Sequence, residues 1–509
     1  MSKLSFYITT SIPYVSKRPH IGNCYDAVLA DLFARYKRMQ GFDVYFQTGA
    51  DEHGQKIELA AAERGITPQA FVDEVAGELK EEWDALNTSY DHFIRTTDTD
   101  HKLRVQNIFQ RLYDQGDIYK GQYEGKYCVP CESFFTASQL VDGKCPDCGR
   151  EVTDTSEEAY FFRLSKYGDR LMEWYAQHPE FFQPGTRKAE MVNNFLKPGL
   201  SDLCVTRSTF TWGIPVPFDS KHVIYVWLDA PFNYITALGY GDEQPGEKFT
   251  RYWPADLHVI GKDIVRFHTI YWPIFLMALD VPLPKQVLGH PWLLFGDGKM
   301  SKSKGNVLYA GDLVREFSTD AVRYYLLSQI PFAQDGSITR ESFIQVYNAD
   351  LANTLGNLVN RTIAMTGQYF EGSVTRSDSN ETLDIALRDV CAQAREDVAR
   401  HMDILHNAEA LGAILELARR CNKYIDETTP WSLAKDDAQC ERLNAVLYHL
   451  LEGIRTIGVL LLPFLPDTAV RIQQQLGVED VAYTMGCDVK LEGFTVGKAE
   501  PLFARIKAE

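Results

Sequence analysis

Between Phe6 and Thr48 the apolar pattern changes period twice, and no other stretch constrains the fold as strongly. Phe6-Tyr7-Ile8-Thr9-Thr10 reads as a buried strand. Ser11 to Pro19 is turn-rich and holds two prolines. From there Ile21, Tyr25, Val28, Leu29, Leu32, Tyr36 and Met39 fall at helical spacing, and Gly41 supplies the stop. Val44 to Thr48 is a second strand. Strand, loop, helix and strand in so short a span make a βαβ unit. That unit requires a parallel sheet and brings ligands to the carboxyl ends of its strands.

A chain of 509 residues suggests about three domains. With 45% hydrophobic and 24% charged residues, large cores are possible. No apolar run reaches the ~18 residues of a membrane span. The N-terminus has neither a signal-peptide core nor an arginine-rich transit character, so a cytoplasmic protein without a membrane partner is expected. A net charge of −17, from 52 basic and 69 acidic side chains, excludes a protein that coats nucleic acid non-specifically, and no DNA partner is expected. Six of the ten cysteines are scattered singly, as reduced thiols are.

Three segments carry chemistry. Pro19-His20-Ile21-Gly22-Asn23 stands at the first strand-to-helix junction, where N–H groups and the helix dipole attract phosphate. His20 can donate to a phosphoryl oxygen there, or serve as a plain cap or core residue. Gly22 has no side chain to obstruct a flat base. At the next strand end, Asp51 can hold a cationic amine or cap a helix. Far along the chain, Trp292 to Phe295 reads as a strand leading into Gly296-Asp297-Gly298-Lys299-Met300-Ser301-Lys302-Ser303-Lys304-Gly305-Asn306. If that loop coils, Lys299 and Lys302 face the same way, and such a cationic loop suits a polyphosphate.

His20-Ile21-Gly22-Asn23 paired with Lys299-Met300-Ser301-Lys302-Ser303 resembles the two signatures of class I aminoacyl-tRNA synthetases. The first signature normally ends in histidine, and Asn23 departs from that, although asparagine can still donate a hydrogen bond. With Ser11-Ile12-Pro13-Tyr14 and the Asp51 segment, the chain is similar to the methionyl-tRNA synthetase family over essentially its whole length. The resemblance implies a Rossmann-like α/β catalytic domain split by an insertion and followed by an all-α helix bundle.

The insertion carries Cys128-Val129-Pro130-Cys131 and, after thirteen intervening residues, Cys145-Pro146-Asp147-Cys148. Two such knuckles wrap four thiolates around one Zn²⁺, with iron as the inferior alternative. Four thiolates leave no position for a substrate, so the zinc is read as structural. The insertion is expected to run to Pro217, and the sheet to resume with Val223 to Pro231. Asp256 to Gly261 reads as another strand, followed by a helix from Ile264 that carries His268. The resemblance implies that Ser11, Ile12, Tyr14, Asp51, Trp227, Ala230, Pro231, Tyr234, Ile264 and His268 form a methionine site. Their aromatic walls suit a thioether, and His268 and the Tyr14 hydroxyl are expected to donate to its sulfur. Gly261 and Asp263 are expected near the adenosine of ATP, with His20, Gly22, Asn23, Lys299 and Lys302.

Asp320 to Ser328 reads as amphipathic, and from about Ala349 helical periodicity dominates. This region resembles the family's anticodon-binding bundle. Asn357 and Arg361 sit one helical turn apart, and Trp431 follows Pro430 at a helix start. The resemblance implies that Trp431 stacks on an unpaired base while Asn357 and Arg361 read its edge; a buried Trp431 and a surface ion pair for Arg361 is the alternative. The expected organisation is 1–117 and 218–320 as catalytic halves, 118–217 as insertion, 321–348 as a linking segment and 349–509 as anticodon-binding domain. Expected partners are ATP with Mg²⁺, L-methionine and methionine tRNA, and a monomer is expected. A cysteine-specific relative would need an open zinc site. A simple nucleotidylyltransferase would have no use for the helical third, and a zinc-knuckle RNA-binding protein leaves the lysine loop unexplained.

Overall fold

In the computed structural model, residues 3–128, 133–135, 140–146, 149–296, 307–479 and 490–507 are described. The chain forms two compact units. One comprises Met1–Pro19, Asp43–Glu81 and Tyr90–His290, and the other His20–Phe42, Glu82–Ser89 and Pro291–Glu509. These units cut across the five segments read from the sequence.

The first unit is built on a six-stranded sheet in the order His92–Arg95, Asp43–Ala50, Ser5–Thr10, Leu257–Gly261, Val287–His290, Phe182–Gln183. Every pairing is parallel. Most residues of Ser5–Thr10, Asp43–Ala50 and Leu257–Gly261 are buried, as expected of strands covered on both faces. Between Asp43–Ala50 and His92–Arg95 the approach is so close that a Cβ on Gly49 would run into the Ile94 carbonyl. Tyr7, Phe162, Phe232, Trp272 and Phe275 belong to the core of this unit.

Ile118–Cys128 and Thr153–Phe162 pair antiparallel in a separate four-stranded sheet. The insertion does not stay apart from the catalytic sheet, however. Phe182–Gln183, within 118–217, pairs with Val287 and Leu288 as the sheet's edge strand. The expectation that Val223 to Pro231 resumes the parallel sheet is corrected. Asp219–Ile224 pairs antiparallel with Ile214–Val216 and Thr206–Arg207. Val226–Asp229, Ala230–Phe232 and Asn233–Thr236 are then short helical turns. Pro231 has no N–H to give a central strand, and Asp229 is a charge that needs partners from two other elements.

In the second unit, Ile21–Met39 is a helix. Gly41 (φ +87°) ends it: Gly41 N–H donates to Arg38 O at 2.9 Å and Phe42 N–H to Lys37 O at 3.1 Å. Thr319–Gln329 is helical but not amphipathic, since Asp320 to Leu327 are all buried. Its buried arginine is satisfied internally. The Arg323 guanidinium donates to the carbonyls of Phe464 (2.9 Å), Leu86 (3.1 Å) and Pro463 (3.2 Å) and pairs with Asp31 at 2.8 Å. Thr382–Asp403, Asn407–Thr428 and Cys440–Leu461 pack together, the last of them apolar nearly all round and buried. Among the described residues no helix is long and apolar enough to cross a membrane.

Candidate active site

Ser11, Asp51 and Gly261 each stand at or just beyond the carboxyl end of one of three neighbouring strands, Ser5–Thr10, Asp43–Ala50 and Leu257–Gly261. The Ser11 N–H donates to Val259 O at 2.9 Å. Tyr14 and Asp51 form a parallel bridge, in which Asp51 N–H donates to Pro13 O (2.9 Å) and Val15 N–H to Asp51 O (3.0 Å). Asp51 is therefore strand-like and not a helix cap; the next helix, Gln55–Glu63, is capped by Gly54. Asp263 folds back over Gly261, where a Cβ would lie 2.8 Å from its Oδ1.

Over these strand ends lie the helical turns from Val226 to Thr236. The Tyr234 hydroxyl is 2.7 Å from His268 Nε2, and His268 Nδ1 is 3.0 Å from the Ile264 carbonyl. A carbonyl only accepts, so in the neutral ring Nδ1 carries the hydrogen and Nε2 accepts from Tyr234. That engages both ring nitrogens within the wall itself. Trp227 stacks on Phe267 with ring centroids 3.6 Å apart and planes within 5°. Ile12, Tyr14, Trp227, Ala230 and Ile264 are half-buried, while Ser11, Asp51, Pro231, Tyr234 and His268 are buried.

A polar layer beneath these residues escaped sequence reasoning. Tyr7 OH lies 2.7 Å from Gln47 Oε1 and 2.8 Å from Tyr234 O. Gln47 Nε2 donates to Asn233 Oδ1 at 2.7 Å, and Asn233 Nδ2 to Ala230 O at 2.6 Å. The His258 ring lies 4.4 Å from that of Tyr234, tilted by 34°, and is bonded to Thr9 Oγ1 at 2.6 Å. Burial, then the nearby charge of His268, pushes its pKa well below the ordinary value. The Asp229 carboxylate lies 2.7 Å from His53 Nδ1 and 2.8 Å from His101 Nε2. Burial opposes ionisation of Asp229, but the charge of His53 and the bonds from both rings outweigh it and lower its pKa. The available signal was a polar side chain, such as Gln47 or Asp229, inside an otherwise apolar run.

In the second unit, the Arg361 guanidinium lies 5.1 Å over the Trp431 ring and 3.5 Å from Asp426. Trp431 is 38% exposed. The structure thus combines both sequence readings, a surface ion pair and an exposed indole. Asn357 opens the helix that carries Arg361 and lines an open cleft of about 360 Å³ with Asn353, Asn360 and Arg505.

Residues 6–156 and 151–363 match the family described as tRNA synthetases class I (M), and residues 373–509 match the anticodon binding domain of methionyl tRNA ligase. The chain is 56% identical over 509 residues to the methionine–tRNA ligase of Clostridium acetobutylicum, spanning 100% of this chain and 79% of that one. The chain belongs to the methionyl-tRNA synthetase family. The Bacillus subtilis member is 50% identical over 521 residues, covering 99% and 78% of the two chains. A solved structure of Mycobacterium tuberculosis methionyl-tRNA synthetase in complex with methionyl-adenylate matches with a TM-score of 0.94 at 39% identity, over 99% of this chain and 100% of that one. The parallel-sheet catalytic architecture and the helical C-terminal region are those of the methionyl-tRNA synthetase family.

Where that family's first signature normally ends in histidine, Asn23 has a visible structural role. Its Oδ1 accepts from the His20 N–H at 3.1 Å, closing the first helical turn. A Cβ on Gly22 would meet His20 Cε1 at 3.0 Å, so the glycine lets the imidazole fold back over the helix start. Ile21 N–H donates to Leu308 O at 2.8 Å, and a Gly22 Cβ would lie 3.6 Å from Leu293 O. Segments on both sides of the lysine loop thus touch the His20 turn, while Lys299 and Lys302 themselves lie outside the described residues. Cys128 and Cys145 are buried together against Leu140 and Val152, and Cys145 O accepts from Gly149 N–H at 2.9 Å in a tight turn. Cys131 and Cys148 lie outside the described residues. Two buried cysteines sharing one apolar cluster are compatible with a metal held by thiolates. Glu158, Asp219 and His222 also cluster within 4.8 Å, but Lys120 Nζ already lies 2.6 Å from Glu158 and 3.1 Å from Asp219.

Proposed function

We propose that this chain activates L-methionine with ATP to methionyl-adenylate and transfers the methionyl group to the 3′ end of methionine tRNA in the cytoplasm. The observation that carries this is the convergence of Ser11, Asp51 and Gly261 on adjacent strand ends beneath the Tyr234–His268 wall. Asp51 holds the substrate ammonium. Ser11, Ile12, Tyr14, Trp227, Ala230, Pro231, Tyr234, Ile264 and His268 enclose the rest of the amino acid, with aromatic faces toward the thioether. Gly261 and Asp263 lie beside the adenosine.

The methionine carboxylate is itself the nucleophile, attacking the α-phosphorus and releasing pyrophosphate. No side chain need attack, so catalysis consists of positioning and charge stabilisation. His20 and Asn23 neutralise charge at the phosphoryl centre, and Lys299 and Lys302 stabilise the departing pyrophosphate. Contact of Leu308 and Leu293 with the His20 turn supports the pairing of these signatures. Mg²⁺ accompanies ATP. In the second step the terminal ribose hydroxyl attacks the methionyl carbonyl of the adenylate, the anhydride bond breaks and AMP leaves with the hydroxyl proton lost to solvent, and Asn357, Arg361 and Trp431 contact the anticodon. The functional division is catalytic halves 1–117 and 218–320, insertion 118–217, linking segment 321–348 and anticodon-binding region 349–509.

ATP–pyrophosphate exchange across a panel of amino acids tests this reading: exchange driven by methionine supports it, and exchange driven by another amino acid alone refutes it. Lys302→Ala should lower exchange by orders of magnitude with little change in methionine affinity, and near wild-type exchange would remove the lysine from its role. Cys128, Cys131, Cys145 and Cys148 hold one structural Zn²⁺. Metal analysis should find one ion per chain, lost in Cys145→Ser together with protease resistance of the insertion. Full activity and protease resistance without zinc would refute that assignment.

A further inference from the structure

Two chain segments wall the amino-acid site proposed above, and they come from distant parts of the sequence. One is the loop after Asp43–Ala50, which presents Asp51. The other is the run of helical turns that presents Trp227, Ala230, Pro231 and Tyr234. Asp229 lies within the second of these segments and is closed off from solvent, being 0% exposed. One of its carboxylate oxygens takes His53, two residues after Asp51, at 2.7 Å. The other takes His101 of the helix Thr99–Asp114 at 2.8 Å. His101 in turn bonds Thr236 Oγ1 at 2.8 Å through Nδ1, returning to the helical turns from their far end. The His53 ring is fixed on another side by Trp212, edge-on at 5.7 Å, whose Nε1 donates to Glu52 O at 2.5 Å.

A buried carboxylate is costly unless its partners are well placed. An aliphatic side chain would fill the same space at lower cost, so a charge kept here has geometry as its return. We propose that Asp229 is a positioning residue for amino-acid binding: through His53 and His101 it fixes the distance between the Asp51 loop and the pocket wall. This rests on the assignment of Asp51 and the wall as the methionine site. Asp229 does not contact the Gly261–Asp263 side, so its effect falls on methionine and not on ATP.

The test is ATP–pyrophosphate exchange with the full chain, reading KM for methionine, KM for ATP and kcat in Asp229→Asn, Asp51→Asn and the double variant. Asp229→Asn should raise the methionine KM by about tenfold or more, the scale of a lost hydrogen bond to a buried charge, with the ATP KM within about twofold. Because Asp229 acts through the placement of Asp51, the double variant should be no worse than Asp51→Asn alone. A purely structural role would lower the melting temperature while leaving the methionine KM of the folded enzyme unchanged, and that result overturns the proposal. So do equal rises in both KM values, or additive effects in the double variant. An unchanged methionine KM in Asp51→Asn overturns the site assignment itself, and the proposal with it. If Asp229→Asn does not fold, His53→Gln removes one arm of the clamp, and an unchanged methionine KM there is equally fatal.

Discussion

Removing one oxygen atom, in Tyr234→Phe, leaves His268 Nε2 without the hydroxyl 2.7 Å away while the ring stays buried. The lost hydrogen bond is worth about 0.5–1.5 kcal/mol and held this wall of the proposed pocket in place. The methionine KM should therefore rise roughly two- to tenfold, and pyrophosphate exchange at varied methionine reads it directly. His449 supports a second test. Burial lowers its pKa from 6.5 to about 4, against the opposing charge of Asp384, while Arg388, Arg442 and Lys490 reinforce the shift. The unfolded chain takes up this proton below 6.5 and the folded chain refuses it until about 4. Its contribution is complete above 6.5 and is lost as pH falls toward 4, a difference of about 2 kcal/mol at pH 5. Urea midpoints of the helical signal should fall between pH 7.5 and 5 in the wild type, and fall less in His449→Gln. Only the family resemblance brings Tyr234 and His268 forward from the sequence, and the structure joins their side chains at 2.7 Å. Asp229 stands out locally as a polar residue in an apolar run, but its pairing with His53 and His101 could not be read, because it spans well over a hundred residues.

Among the elements, the helix Ile21–Met39 is the one whose sequence and structure agree at both ends: the apolar spacing, the Gly41 stop and the turn at His20. Val223 to Pro231 shows the opposite case. Its apolar run suggested a strand, but the buried charge of Asp229 and the missing N–H of Pro231 favour helical turns. A short apolar run fixes burial without fixing period. The amphipathic reading of Asp320 to Ser328 failed for a related reason. Asp320 and Arg323 carry the charge in that stretch, yet Asp320 accepts from Thr468 N–H at 2.5 Å and Arg323 is enclosed on four sides by acceptors. The Ile21–Met39 helix start also carries a sharp prediction. Asn23→Asp keeps the acceptor for the His20 N–H and adds a charge the helix dipole welcomes. It removes the amide donor and places a negative charge where the triphosphate is proposed to lie. The melting temperature should hold while the ATP KM rises about tenfold. A drop in melting temperature with unchanged ATP KM would leave Asn23 as a cap alone.

Across the whole molecule, the two steps of the reaction make different demands, and that difference can be measured. Activation needs only methionine and ATP, so it is blind to any surface that reads RNA. Trp431 is exposed with Arg361 over its face, and Asp426 draws the guanidinium at 3.5 Å. A base sliding onto the indole would meet a ring already faced by a cation. The net charge of −17 means that bulk attraction does not bring the RNA there. Local stacking must supply the affinity, at about 1–3 kcal/mol per base. Trp431→Ala should therefore lower kcat/KM for tRNA aminoacylation by roughly ten- to a hundredfold while leaving methionine-dependent pyrophosphate exchange at the wild-type rate. Asp51→Asn should impair both. If Trp431→Ala slows exchange as much as aminoacylation, the indole holds the fold and does not read the anticodon.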